Sequence, residues 1–149
     1  MAHMGGSASA EIEAPIDAVW PVVEDVSIAP EWQGGLTALT PLERDAEGRP
    51  TLVESETDIK VRRVKTRVRF RYEPPTRLSW TQEKGDLKSV EGAWILEDLG
   101  DGRTRATYKL DSDPVRVLGM LLRGPAEAAV MAMLVNARPG ELKQYVEGG

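Results

Sequence analysis

Residues 63 to 72 read Arg, Val, Lys, Thr, Arg, Val, Arg, Phe, Arg, Tyr, and this run constrains the fold more than any other. Arg63, Lys65, Arg67, Arg69 and Arg71 take the odd positions, while Val64, Thr66, Val68, Phe70 and Tyr72 take the even ones. Side chains alternate across a β-strand, so a period of two gives one wet face and one buried face. Such a strand belongs in an antiparallel sheet covered on one side. Upstream, Glu54, Glu56 and Asp58 alternate with Val53, Ser55, Thr57 and Ile59. A hairpin with a short loop near Val61 and Arg62 sets acids beside bases, with Asp58 expected opposite Lys65 or Arg67. A slip of one residue sets acids against apolar side chains, so charge and burial agree on the pairing. Each exposed cross-strand pair is worth only roughly 0.2–1 kcal/mol, so this salt ladder sets register more than stability.

The same punctuation organises the rest of the chain. Residues 7 to 13 alternate as a first strand. Pro15 then suits the start of a helix, whose apolar stripe is Ile16, Val19, Trp20 and Val23. Pro21 removes a hydrogen-bond donor and predicts a kink or early end. A short turn is expected over residues 27 to 32, before Gly34 and Gly35. Strands are predicted over 36–43, 51–60, 63–73, 76–84, 87–97 and 103–112. Their links carry Gly and Pro, and are short enough to require antiparallel neighbours. Beyond Pro114 come an apolar segment, 115 to 122, and a long final helix, 126 to 146, with a kink expected at Pro139-Gly140. That helix has almost no polar face near Ala126 to Val135, so burial on more than one side is expected.

The inner face of the strands carries the functional reading. Leu78 and Trp80 share it, as do Val90, Gly92, Trp94 and Leu96, and Ala106, Tyr108 and Leu110. Gly92 within a strand predicts a bulge or sharp curvature. Tyr72, Tyr108, Thr66, Ser55 and Gln82 are the inward polar candidates. With Val68, Phe70, Trp80, Val90, Trp94, Met120, Val130, Met133 and Leu134 they make up the candidate ligand-binding set. Methionines adapt to ligands of variable shape.

Several chemistries are excluded. The 149 residues contain no cysteine, which removes thiolate catalysis, disulfides and Cys-ligated zinc. The one histidine is His3, in a Met-Ala-His-Met opening that reads as a cloning remnant. Residues 1 to 6 are expected to be that remnant and a disordered lead-in, and 7 to 149 a single domain. Neither a metal nor a cofactor is expected, and no catalytic residue is assigned. A net charge of −5 disfavours nonspecific nucleic-acid binding. No apolar run reaches the ~20 residues that span a bilayer, so stable membrane insertion is not expected. A cytoplasmic location fits the missing cysteines.

Residues 8 to 147 resemble the START-related (SRPBCC, Bet v 1-like) superfamily of polyketide cyclase/dehydrase and lipid-transport proteins. The residues that carry this are EIEAPIDAVWPVVEDVSIAPEW, PPTRLSW, VEGAWILEDLGDGRTRATY and ELKQYVE. The resemblance implies an α+β helix-grip fold: a curved antiparallel sheet of about seven strands wrapped around a long C-terminal helix. Two short helices follow the first strand, and a cavity lies under the last helix. An activity does not transfer with the fold, because the superfamily hosts carriers and cyclases alike. The function expected is binding or carrying a small hydrophobic molecule, such as a lipid or polyketide. The alternative is a cyclase or aromatase, for which the usual histidine base is missing and Arg123 and Arg138 read as solvated. A third reading is an interaction module that uses the apolar segment 115 to 135 for a homodimer or a membrane surface.

Overall fold

The computed structural model describes residues 4–60, 62–114 and 124–148. The expected alternation of 63 to 73 is one unbroken strand, and its neighbours follow from it. In chain order the elements are β1 (Met4–Ile12), α1 (Ile16–Glu24), a 3-10 turn (Val26–Ile28), α2 (Ala29–Trp32), β2 (Leu36–Arg44) and β3 (Pro50–Asp58). Then come β4 (Arg63–Glu73), β5 (Arg77–Gly85), β6 (Ser89–Gly100) and β7 (Arg103–Asp113). The C-terminal helical segment comprises α3 (Pro125–Met131), a π turn (Ala132–Asn136) and α4 (Arg138–Gly148). The seven strands form one antiparallel sheet in the order β1-β7-β6-β5-β4-β3-β2. β1 and β2 are therefore opposite edges, and α1 and α2 carry the chain from one edge to the other.

Turn chemistry explains the hairpins. Asp101 and Gly102 both have positive φ between paired Gly100 and Arg103, the geometry of a type I′ turn. Between β3 and β4, Asp58 lies opposite Arg63, Glu56 opposite Lys65 and Glu54 opposite Arg67. Acids do sit beside bases, but Asp58 meets Arg63 rather than Lys65 or Arg67, because only residues 59 to 62 form the loop. Arg67 pairs with Glu54 at 3.3 Å, and Arg63 reaches Glu56 diagonally at 3.6 Å.

The core lies between the inner face and the helices. Ile12, Val19, Leu78, Trp94, Val130, Val135 and Leu142 are all under 2% exposed. Each such aliphatic side chain contributes roughly 1.5–3 kcal/mol on burial. The C-terminal helical segment packs chiefly on β1 and β7, and α1 packs on β6 and β7.

Four expectations are corrected. β1 begins at Met4, not Ser7; residues 4 to 6, expected to be disordered, pair with 110 to 112, and Met4 is buried. The strand extends because β7 runs on to Asp113 and offers those residues a partner. Pro21 lies inside α1, which ends three residues later at Glu24. The final helix is interrupted before Pro139 rather than at Pro139-Gly140. Pro139 cannot donate to a carbonyl four residues back, and the chain takes up a π turn in which Ala137 N–H reaches Ala132 O at 3.0 Å. Ala128, Ala129 and Ala132 are exposed, so this segment is not buried all round; its buried row is Val130, Leu134, Arg138 and Leu142. Gly92 makes no bulge: its pairings with Trp80 and Leu110 are regular. A Cβ there would lie 2.4 Å from the Trp80 ring, so glycine lets that indole lie flat across the backbone.

Gly92→Ala forces the Trp80 ring off its seat and is expected to destabilise the fold by about 1–3 kcal/mol in urea denaturation. A loss under about 0.5 kcal/mol contradicts this packing role.

Candidate ligand cavity

Because the C-terminal helices sit over β1 and β7, the inner face of the middle strands is left partly uncovered. A cavity of about 160 Å³ occupies that space. This is room for on the order of ten waters, or for a small ring system. Strands β3 to β7 supply Ser55, Thr57, Val64, Thr66, Val68, Phe70, Leu78, Trp80, Val90, Trp94, Tyr108 and Leu110. The helices supply Val22, Val23, Val26, Ala29, Trp32, Val130, Met131, Leu134 and Arg138.

Rings form much of the wall. Phe70 and Trp80 have centroids 5.8 Å apart, Trp80 and Tyr108 5.6 Å, Trp94 and Tyr108 4.8 Å, and Trp32 and Trp94 6.0 Å. Tyr72 and Tyr145 extend this chain at its two ends. Such pairs add about 0.5–1.5 kcal/mol each beyond their burial, so the wall is stiff.

Of the residues proposed from sequence, Ser55, Thr66, Val68, Phe70, Trp80, Val90, Trp94, Tyr108, Val130 and Leu134 stand in the cavity wall. Ser55 and Thr66 lie opposite each other, their hydroxyls 2.9 Å apart, and so satisfy one another. Three residues fall elsewhere. Tyr72 is on the inner face but at its far end, where its hydroxyl donates to Pro50 O and Arg49 lies 4.8 Å from its ring centroid. Gln82 pairs with Val68 on the inner face, but its amide turns to the β5–β6 hairpin, donating to Leu87 O at 2.8 Å. Met133 points to Gly35, and Met131, two residues earlier, stands in the wall instead. Met120, Arg123 and the segment 115 to 122 lie outside the described residues.

Sequence reasoning missed the far wall. Trp32, Gln33, Leu36 and Leu39 line the cavity from α2 and β2. It also misplaced Arg138, expected in solvent but only 3% exposed. The row Val130, Leu134, Arg138 at i, i+4, i+8 was the available signal. Arg138 Nη1 donates to Gly34 O at 2.9 Å and to Glu141 Oε1 at 2.8 Å, while Glu141 Oε2 accepts from Gly34 N–H at 2.9 Å. A Cβ on Gly34 would lie 2.7 Å from that carboxylate, so glycine permits the clamp. The guanidinium also sits 5.7 Å from the Tyr108 ring centroid. Burial pushes the Tyr108 hydroxyl above the ordinary tyrosine value, and Arg138 opposes the shift. Tyr72 is likewise pushed up by burial and by the nearby Asp45 charge.

Comparison with known proteins agrees with this architecture. Residues 12–137 match the model of a family described as polyketide cyclase / dehydrase and lipid transport. No curated protein sequence matches the chain. Among solved structures, a START superfamily protein from Mycobacterium smegmatis is 18% identical, with TM-score 0.81 and 97% of each chain covered. The Zhui aromatase/cyclase from Streptomyces sp. R1128 is 18% identical, with TM-score 0.66, covering 98% of this chain and 83% of that one. Major latex-like protein 151 from Panax ginseng is 10% identical, with TM-score 0.65 and 95% and 97% covered. At these identities the likeness shows the fold. Among the described residues no helix is long and apolar enough to cross a membrane.

The raised phenols predict a titration. The fold favours the neutral form of Tyr72 and Tyr108, so their contribution to stability is full below the unfolded value of about 10 and is lost as pH rises through the folded values. Absorbance at alkaline pH is expected to show a late-ionising phase that Tyr72→Phe and Tyr108→Phe each reduce. Complete ionisation of the folded protein in one step near pH 10 contradicts it.

Proposed function

The chain belongs to the polyketide cyclase / dehydrase and lipid transport family, and from that premise we propose that it binds and carries a small hydrophobic molecule in the cavity between sheet and helices. Fold and family together support a role in hydrophobic-ligand binding or cyclisation. The observation that favours the carrier is the wall itself: aliphatic and aromatic side chains dominate it, and its Ser55 and Thr66 hydroxyls are already paired. Such a pocket holds its ligand by burial, at about 25 cal/mol per Å² of apolar surface. The cysteine-free chain fits a cytoplasmic setting for this carrier.

A cyclase reading has one observation in its favour, the Arg138 guanidinium 5.7 Å from the Tyr108 ring centroid in the same wall. Enolisation and dehydration need an acid or base whose pKa lies near the working pH. Burial moves the Tyr108 phenol away from neutrality, so this pair is better suited to orienting a ligand than to moving its protons.

Two measurements separate these readings. 1-Aminoanthracene is expected to bind with one-to-one stoichiometry and fluorescence enhancement, and Val68→Phe, which fills the space, to weaken it by about tenfold or more without unfolding the protein. Unchanged affinity in that variant places the probe elsewhere and defeats the carrier reading. For turnover, deuterium exchange into the methyl group of 2-acetylnaphthalene is expected to run no faster with protein than without. Acceleration that disappears in Tyr108→Phe would establish the cyclase-type reading instead.

A further inference from the structure

One part of the cavity wall holds two buried N–H groups that meet no acceptor among the described residues. Trp32 Nε1 and Arg138 Nε each lack a hydrogen-bond partner among the described residues. Both residues line the cavity. They belong to one neighbourhood: Arg138 donates to Gly34 O, two residues beyond Trp32, and Trp32 reaches Tyr108 through Trp94. Folded proteins leave few buried donors unpaired, because each one forgoes its hydrogen bonds to water. Two in one wall mark a place where an acceptor arrives from outside the chain.

The charge balance narrows that acceptor. Among the described residues Arg138 is the one cationic side chain in the wall, and Glu141 at 2.8 Å already pairs with it. Asp25 also lines the cavity. An anionic ligand would meet two carboxylates and shed its own water to enter. A neutral oxygen loses far less hydration and still accepts from an N–H group of this wall.

We propose that Trp32 and Arg138 form a polar anchor that selects ligands with an apolar body and one neutral acceptor oxygen of carbonyl, ester or ether type. This rests on the carrier reading and adds to it the chemistry by which the cavity discriminates.

Three probes of equal heavy-atom count and similar shape test it by calorimetric titration: 2-acetylnaphthalene, 2-isopropylnaphthalene and 2-naphthoate. The ketone is expected to bind about tenfold tighter than the hydrocarbon, and naphthoate no tighter than the ketone. Trp32→Phe and Arg138→Met are each expected to lower the ratio of ketone to hydrocarbon affinity from about tenfold to about twofold or less. Should Arg138→Met fail to fold, Trp32→Phe decides. Equal binding of ketone and hydrocarbon, tighter binding of naphthoate, or a preference that survives Trp32→Phe overturns the anchor while the carrier reading stands. If none of the three binds, the carrier reading falls and the anchor with it.

Discussion

A helix is narrower than the sheet it must cover, and the rest of this structure follows from that mismatch. Seven strands at ~4.8 Å spacing make a surface about 29 Å across, whereas one helix with its side chains is about 10 Å wide. The C-terminal helices settle over β1 and β7, and α1 over β6 and β7. Phe70, Val68, Thr66 and Val64 on β4 are then left facing inward without a helix directly upon them. A flat sheet would expose that row to water. A sheet that curves brings β2 and α2 round to meet it, and the cavity is the volume that this closure does not fill.

Both ends of the closure are tied by charged groups that double as packing. Near β2, Arg49 holds Asp45 at 2.8 Å and Glu24 at 3.4 Å, so the β2–β3 turn is fastened to α1. The Tyr72 ring lies under that guanidinium, with its hydroxyl committed to Pro50 O, which withdraws it from any role in the cavity. Toward the C-terminus, Arg138 and Glu141 grip both polar groups of the Gly34 peptide. Glu141 sits in the first turn of α4, where the helix dipole favours a carboxylate. The two clamps leave different residues behind. Arg49 is surrounded by carboxylates and faces outward, whereas Arg138 keeps one N–H unpaired within the wall.

The sheet was legible because its strands alternate cleanly and a one-residue slip would bury charge. The inner face could be read residue by residue on β3 to β7 for the same reason. Legibility failed where a position depends on contacts distant in sequence. The burial of Arg138 depends on Gly34, more than a hundred residues earlier, so a single arginine after an alanine-rich run reads as solvated. Counting in twos places Gln82 on the inner face, where it pairs with Val68, but its amide reaches Leu87 O in the hairpin instead of the cavity. Met131 rather than Met133 stands in the wall, and the apolar run from Ala126 to Val135 carries almost no polar face from which that phase could be read. Gly92 could be flagged as special, but its reason is a tryptophan ring from the adjacent strand. Trp32 stands in a four-residue helix, too short for its facing to be read from periodicity.

The account depends on an apolar volume, open to small molecules, between β4 and the C-terminal helices. Crystals of the protein equilibrated under xenon pressure test this most directly, since xenon partitions into apolar cavities and not into packed cores or hydrated clefts. The account predicts xenon density enclosed by Val68, Phe70, Trp80 and Leu134. Those four side chains in mutual contact, with no xenon between them, would contradict it.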